Sequence, residues 1–87
     1  MKLAETGYTA QEIKDKVKKY MIETYERFDL LAETAKDQYI YDETGEKYLD
    51  FYAGIAVNSA GNCNEKVVEA VVDQAKTLMH TFNYPYT

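Results

Sequence analysis

Twelve residues constrain this chain more than any others: Tyr39-Ile40-Tyr41-Asp42-Glu43-Thr44-Gly45-Glu46-Lys47-Tyr48-Leu49-Asp50. Tyr, Ile and Leu concentrate in two β-prone runs on either side of Asp42-Glu43-Thr44-Gly45. That tetrapeptide has the chemistry of a turn, with Asp at its start and Gly where a left-handed backbone is usual. A β-hairpin is expected. Its register stays open, because a slip of one residue exchanges the faces that carry Tyr39, Tyr41 and Ile40. With the upstream run DLLAET, the pattern predicts a three-stranded antiparallel meander over 29–52.

Helical signals flank the meander. Thr9-Ala10-Gln11-Glu12 fits a capping box. Behind it Ile13, Val17, Tyr20 and Met21 recur at helical spacing, which predicts a helix over 8–24 followed by a connector, Tyr25-Glu26-Arg27-Phe28. After the meander, 53–64 is small, apolar and punctuated by Gly54 and Gly61, so a loop is expected there. A second helix is predicted over 65–79. Val67, Val71, Ala75 and Leu78 form one row beside a second row of Val68, Val72 and Met79, so its apolar face is wide. Residues 80–87 read as an irregular exit, a passage between elements more than a natural terminus. The fold class is α+β: helix, meander, glycine-punctuated loop, amphipathic helix.

Size and charge exclude several functions. A chain of 87 residues makes at most one small domain, and it buries only about 60–65% of its unfolded surface. Fifteen acidic residues against ten basic ones give a net charge of −5, the wrong sign for nucleic-acid binding. Lys14, Lys16, Lys18 and Lys19 stand beside Glu12 and Asp15 and read as a solvated helix face. A single cysteine makes no internal disulfide. The first residues lack the apolar core of a secretory signal, and the uncharged stretch 51–64 is too short and polar to span a membrane. A soluble, cytoplasmic protein is expected.

Cys63 is the obvious candidate nucleophile, at the start of the second helix. A catalytic thiol needs a base or a positive environment, yet the only histidine, His80, lies at the far end of that helix, roughly 25 Å away. Cys63 therefore reads as a small buried or loop residue. One Cys and one distant His do not complete a metal site. Asp42, Glu43 and Asp50 have turn and strand-end explanations, and no catalytic residue is assigned. Asn64 suits the N-cap of the second helix with Glu65 in the first turn; Asn62, three residues before Glu65, is the near alternative.

The order of the motifs carries more than any one of them. Tyr25-x-Arg27, Tyr41-Asp42-x-x-Gly45-x-x-Tyr48-x-Asp50-Phe51, Gly54-Ile55-Ala56-Val57-Asn58, then Gly61 and a Val-Val-Glu-Ala helix closing on Gln74…His80-Thr81 resemble the N-terminal segment of class III pyridoxal-phosphate-dependent aminotransferases. The acetylornithine/ornithine branch is nearest, and the likeness covers about residues 20–87.

The resemblance implies a segment of a larger fold type I architecture, beside the active site of a homodimer. It implies transfer of an amino group between an amino acid or amine and a 2-oxo acid, with pyridoxal phosphate as electron sink on a lysine imine. It places Tyr25, Ile55 and Val57 on the substrate side of the pocket, positions the residues alone explain equally as core. The family's phosphate-binding loop and imine lysine have no counterpart among these 87 residues. The chain alone is therefore expected to bind no cofactor and not to transaminate. It would act with the remainder of an aminotransferase chain and a second subunit, without nucleic acid or membrane. The alternative is a small non-catalytic α+β interaction or dimerisation module. Where the family commonly has Gly-His-x-His-Pro, this chain has Gly61-Asn62-Cys63-Asn64-Glu65. That departure should preserve the helix entry.

Overall fold

Asp42 holds the hairpin turn together. Its Oδ1 accepts from the Thr44 amide at 2.9 Å, the Thr44 hydroxyl at 2.7 Å and the Glu46 amide at 2.9 Å. Its Oδ2 accepts from the Tyr48 hydroxyl at 3.1 Å. Gly45 takes φ 88°, a left-handed conformation that glycine enters without steric cost. In the computed structural model, which describes residues 2–86, this turn joins β2 (Tyr39–Asp42) to β3 (Lys47–Leu49). The strand β1 (Ala32–Lys36) completes a three-stranded antiparallel sheet in the order β1-β2-β3.

The register pairs Tyr39 with Leu49, Ile40 with Tyr48 and Tyr41 with Lys47. One face thus carries Tyr39, Tyr41, Lys47 and Leu49, with the Lys47 ammonium 3.6 Å from the Tyr39 ring centroid. The other carries Ile40, Tyr48 and Ala35. A bulge between Ala32 and Thr34 shifts the β1 pairing. The meander expected from residue 29 has its first strand from Ala32. Asp29 instead pairs with Lys14, and Leu30 donates its amide to the Phe28 carbonyl at 2.8 Å, so the backbone turns here before it can join the ladder.

Among the described residues, four helical segments precede and follow the strands along the chain. The short α1 (Leu3–Thr6) was not legible beforehand; Gly7 closes it at φ 74°, and the Leu3 amide donates to the Glu33 carboxylate at 2.6 Å. In α2 (Ala10–Tyr20) the capping box is complete: the Thr9 hydroxyl accepts from the Glu12 amide at 3.2 Å, and the Glu12 carboxylate accepts from the Thr9 amide at 2.8 Å. This helix ends four residues before the expected Thr24, where Met21 turns extended. Met21 closes the helix by donating its amide to the Val17 carbonyl at 2.9 Å, and Ile22 beyond it is 86% exposed.

Residues 53–64 are not a plain loop. They open with α3 (Ala53–Ala56), a left-handed turn in which Ala53, Gly54, Ile55 and Ala56 have φ 47°, 62°, 62° and 62°. It is bonded like a helix: the Ala56 amide donates to the Tyr52 carbonyl at 3.2 Å and the Val57 amide to the Ala53 carbonyl at 2.9 Å. Left-handed helical backbone costs about 1–2 kcal/mol per non-glycine residue. Ala53, Ile55 and Ala56 all bear that cost. The long helix α4 (Glu65–Thr77) follows, two residues shorter than its expected end at Met79, with Leu78 extended as its C-cap. In the exit beyond it, the rings of Phe82 and Tyr84 meet edge to face with centroids 5.6 Å apart. Met1 and Thr87, the last residue of that expected exit, lie outside the described residues.

No described hydrophobic residue is buried. The radius of gyration is 16.8 Å, against about 12 Å for a compact domain of this length. The valines of α4 face outward, Val71 at 61% exposed.

Candidate functional site

The strained part of the backbone is also where separate elements meet. Of the nine residues with positive φ among those described, seven lie at Asp37, Ala53, Gly54, Ile55, Ala56, Gly61 and Cys63. Such residues persist only where their surroundings hold them. Here Asn62 does much of the holding. It forms an isolated antiparallel bridge with Asp37 in the β1–β2 turn, the two amides donating to the opposite carbonyls at 2.9 and 2.7 Å. Gly61 beside it lies so close to Asp37 that an added Cβ would stand 3.2 Å from the Asp37 Cα.

The side chain of Asn62 extends the junction. Its Nδ2 donates to the Asp37 carbonyl at 3.1 Å and to the Asp50 carboxylate at 3.3 Å, and its Oδ1 accepts from Asn58 Nδ2 at 2.9 Å. Asp50, at the end of β3, accepts in turn from the Tyr52 amide at 3.0 Å and the Ala53 amide at 2.9 Å. The Ala53 amide first, and then the Asn62 side chain, hold the Asp50 carboxyl below its ordinary range. Asp37, Asp50, Ala53, Asn58, Gly61 and Asn62 line a hollow of about 320 Å³ with Gln38 and Ala60. Asn58, Asn62 and Asp50 were missed as a unit from sequence. The signal was a pair of asparagines four apart on either side of Gly61, with an aspartate closing the strand before them.

Asn64 caps α4, its Oδ1 accepting from the Val67 amide at 3.3 Å, and Glu65 lies in the first turn. Asn62, the alternative cap, is engaged in the junction instead. Lys36 anchors the helix entry by donating to the Cys63 carbonyl at 3.2 Å. Cys63 itself is exposed.

Tyr25 lies in the connector, 66% exposed, with the Arg27 guanidinium 4.9 Å from its ring centroid. It lines a groove of about 950 Å³ between α2 and the connector, with Ile13, Val17, Arg27 and Phe28. Ile55 sits at the third position of the left-handed turn, 83% exposed, and Val57 follows it at 76%. Neither lines the Tyr25 groove. Among the described residues, then, these three present themselves to open surroundings and share no enclosed cavity.

Comparison with known proteins identifies the family. Residues 20–86 match the family model for aminotransferase class-III. The acetylornithine aminotransferase of Methanocaldococcus jannaschii is 49% identical over 73 residues, which are 84% of this chain and 18% of that protein. The fold superposes on the acetylornithine aminotransferase of Elizabethkingia anophelis with a TM-score of 0.84 at 24% identity, covering 90% of this chain and 20% of the other. It superposes equally, at 0.84 and 25% identity, on the ornithine aminotransferase of Toxoplasma gondii, which holds pyridoxal phosphate at partial occupancy in its active site; 91% of this chain and 18% of that one are covered. The chain spans about a fifth of the length of these relatives, corresponding to their N-terminal part. On the match over residues 20–86, the chain belongs to the class-III aminotransferase family.

Proposed function

We propose that the chain works as the N-terminal segment of a pyridoxal-phosphate-dependent aminotransferase, moving an amino group between an amino acid or amine and a 2-oxo acid. The observation that carries this reading is the openness of the fold. The apolar face of α4 and the pocket candidates Tyr25, Ile55 and Val57 all lack cover, as pieces of a larger enclosed site would. In this reading the rest of an aminotransferase polypeptide and a second, identical subunit supply that cover, and the enzyme works in the cytoplasm. No helix of the described residues is long and apolar enough to cross a membrane.

In this reading the groups that hold the cofactor lie in the rest of the polypeptide. Lys14 is paired with Asp29, Lys36 with Glu65 and the Cys63 carbonyl, and Lys16, Lys19 and Lys47 lie over tyrosine rings. The start of α4 carries Glu65, whose charge repels a phosphate. The share of this segment is shape: Tyr25 offers an aromatic face, and Ile55 and Val57 offer an apolar surface to the substrate.

The test joins residues 1–87 to the remainder of the M. jannaschii enzyme in place of its own N-terminal part. This joined enzyme should bind pyridoxal phosphate with the absorption of an imine and transaminate an amino donor, while the 87-residue chain alone should do neither. A joined enzyme that folds and takes up the cofactor but transfers no amino group would sink the proposal. A defined dimer of the 87-residue chain with its apolar surface covered would favour the interaction module instead.

A further inference from the structure

We propose that Asn62, acting with Asp50, is a positioning residue that holds the left-handed turn Ala53–Ala56 so that Ile55 and Val57 meet the substrate. The consequence for the reaction rests on the aminotransferase reading above; the clamp itself rests on the geometry. Three non-glycine residues, Ala53, Ile55 and Ala56, stay left-handed in this turn, one of them the β-branched Ile55 at φ 62°, a conformation such residues avoid. Its own backbone bonds close the turn but do not fix it to the sheet. The fixing bonds come from outside. Asp50 receives the amides of Tyr52 and Ala53, at the entry to the turn, at 3.0 and 2.9 Å. Asn62 receives Asn58, at the exit, through its Oδ1 at 2.9 Å.

Asn62 then joins the two ends. Its Nδ2 reaches Asp50 at 3.3 Å and the Asp37 carbonyl at 3.1 Å, so entry, exit and the β1–β2 turn share one amide. A single planar group that donates on one side and accepts on the other is what this position requires. Aspartate lacks the donor and sets a second carboxylate against Asp50. Alanine lacks both.

The experiment uses the joined enzyme, with hydrogen exchange by mass spectrometry beside steady-state kinetics. In N62A, amides 56–58 should exchange about fivefold to tenfold faster, the scale of a lost hydrogen bond, while those of the hairpin 39–49 keep their rates. The amino-donor KM should rise by a similar factor, roughly fivefold, with kcat within about twofold, the pattern of a misplaced binding surface. N62D should be worse than N62A, and the exchange D50N/N62D, which restores one donor–acceptor pair, should recover much of the loss. If N62A does not fold, Asn58→Ala removes only the exit bond and should raise exchange at 56–58 alone. Unchanged exchange at 56–58 would overturn the clamp. Faster exchange with an unchanged donor KM would overturn the positioning role, as would a double exchange no better than N62D. If the parent joined enzyme transfers no amino group, the functional reading fails, and the exchange data still decide the clamp.

Discussion

Lys14 Nζ stands 2.6 Å from Asp29 Oδ1, and this ion pair fastens α2 to the stretch that leads into the sheet. The hydrogen bond from Lys14 holds the Asp29 carboxyl below its ordinary range, and Asp29 in return holds the Lys14 ammonium above its own. Asp29 is almost fully exposed, at 92%, so salt should screen the pair. Asp29→Asn should loosen α2 and leave the sheet alone. In the joined enzyme, cleavage by a protease within 10–24 should quicken in the variant, and 0.5 M salt should bring the parent towards it. Equal cleavage of parent and variant at low salt would mean that other contacts hold α2.

The hairpin should respond to acid through Asp42. Its carboxyl is held below the ordinary range, first by the Thr44 hydroxyl, then by the Glu46 and Thr44 amides and the Tyr48 hydroxyl. A depressed folded pKa means that the stabilisation is complete above the unfolded value, about 3.9 for Asp. It is lost as the pH falls through the lower folded value. The Thr44 and Glu46 amide resonances should therefore hold steady from neutral pH down to about pH 4 and move below it. Asp42→Asn should abolish that movement. Amides that shift instead near the ordinary aspartate value in the parent would show that the carboxylate is not gripped.

Two glycines separate backbone strain from crowding. Gly45 has φ 88° and open space where a Cβ would go, so Gly45→Ala should cost about 1–2 kcal/mol from conformation alone. Gly61, at φ 83°, has the Asp37 Cα 3.2 Å from that position and the Asp37 carbonyl carbon and oxygen at 3.4 Å. Backbone cannot swing aside as a side chain can. Gly61→Ala should cost more than Gly45→Ala and should also speed amide exchange around Asp37. Thermal melts of the two variants in the joined enzyme compare them directly; equal losses would remove the crowding.

What the sequence made legible was local. The Asp42 turn, the Thr9 capping box and the Asn64 cap are each made by residues within six positions of one another, and their side-chain chemistry names them. The left-handed turn is not local in that sense. Ala-Gly-Ile-Ala carries no signal for three non-glycine residues at positive φ, and the group that braces it, Asn62, reaches Asp37 across 25 positions and Asp50 across 12. Asn62 was therefore read from its neighbours as a rival helix cap. The reach of α2 differs too: the apolar stripe runs on through Met21, but Met21 takes an extended backbone and ends the helix at Tyr20. Tyr25, Ile55 and Val57 were singled out through family likeness. The chain by itself gives them exposure and, for Ile55, a strained backbone, but no shared enclosure.

The face of α4 gives the sharpest contrast between the isolated and the assembled chain. Val67 and Val71 are 52% and 61% exposed and line a shallow trough with Ala70, Ala75 and Leu78. In the 87-residue chain Val71→Glu touches solvent only, and an exposed substitution of this kind changes helix stability by about 0.5 kcal/mol or less. It should lower the binding of an apolar dye and reduce self-association, because it breaks the exposed patch. In the joined enzyme the same residue should lie against the remainder of the polypeptide. There Val71→Glu would bury an unpaired charge and should cost roughly 3 kcal/mol or more, read as a lower melting temperature, while Val71→Ile stays near the parent. A Val71→Glu joined enzyme that melts like its parent would mean that this face of α4 is open to water in the assembled protein as well.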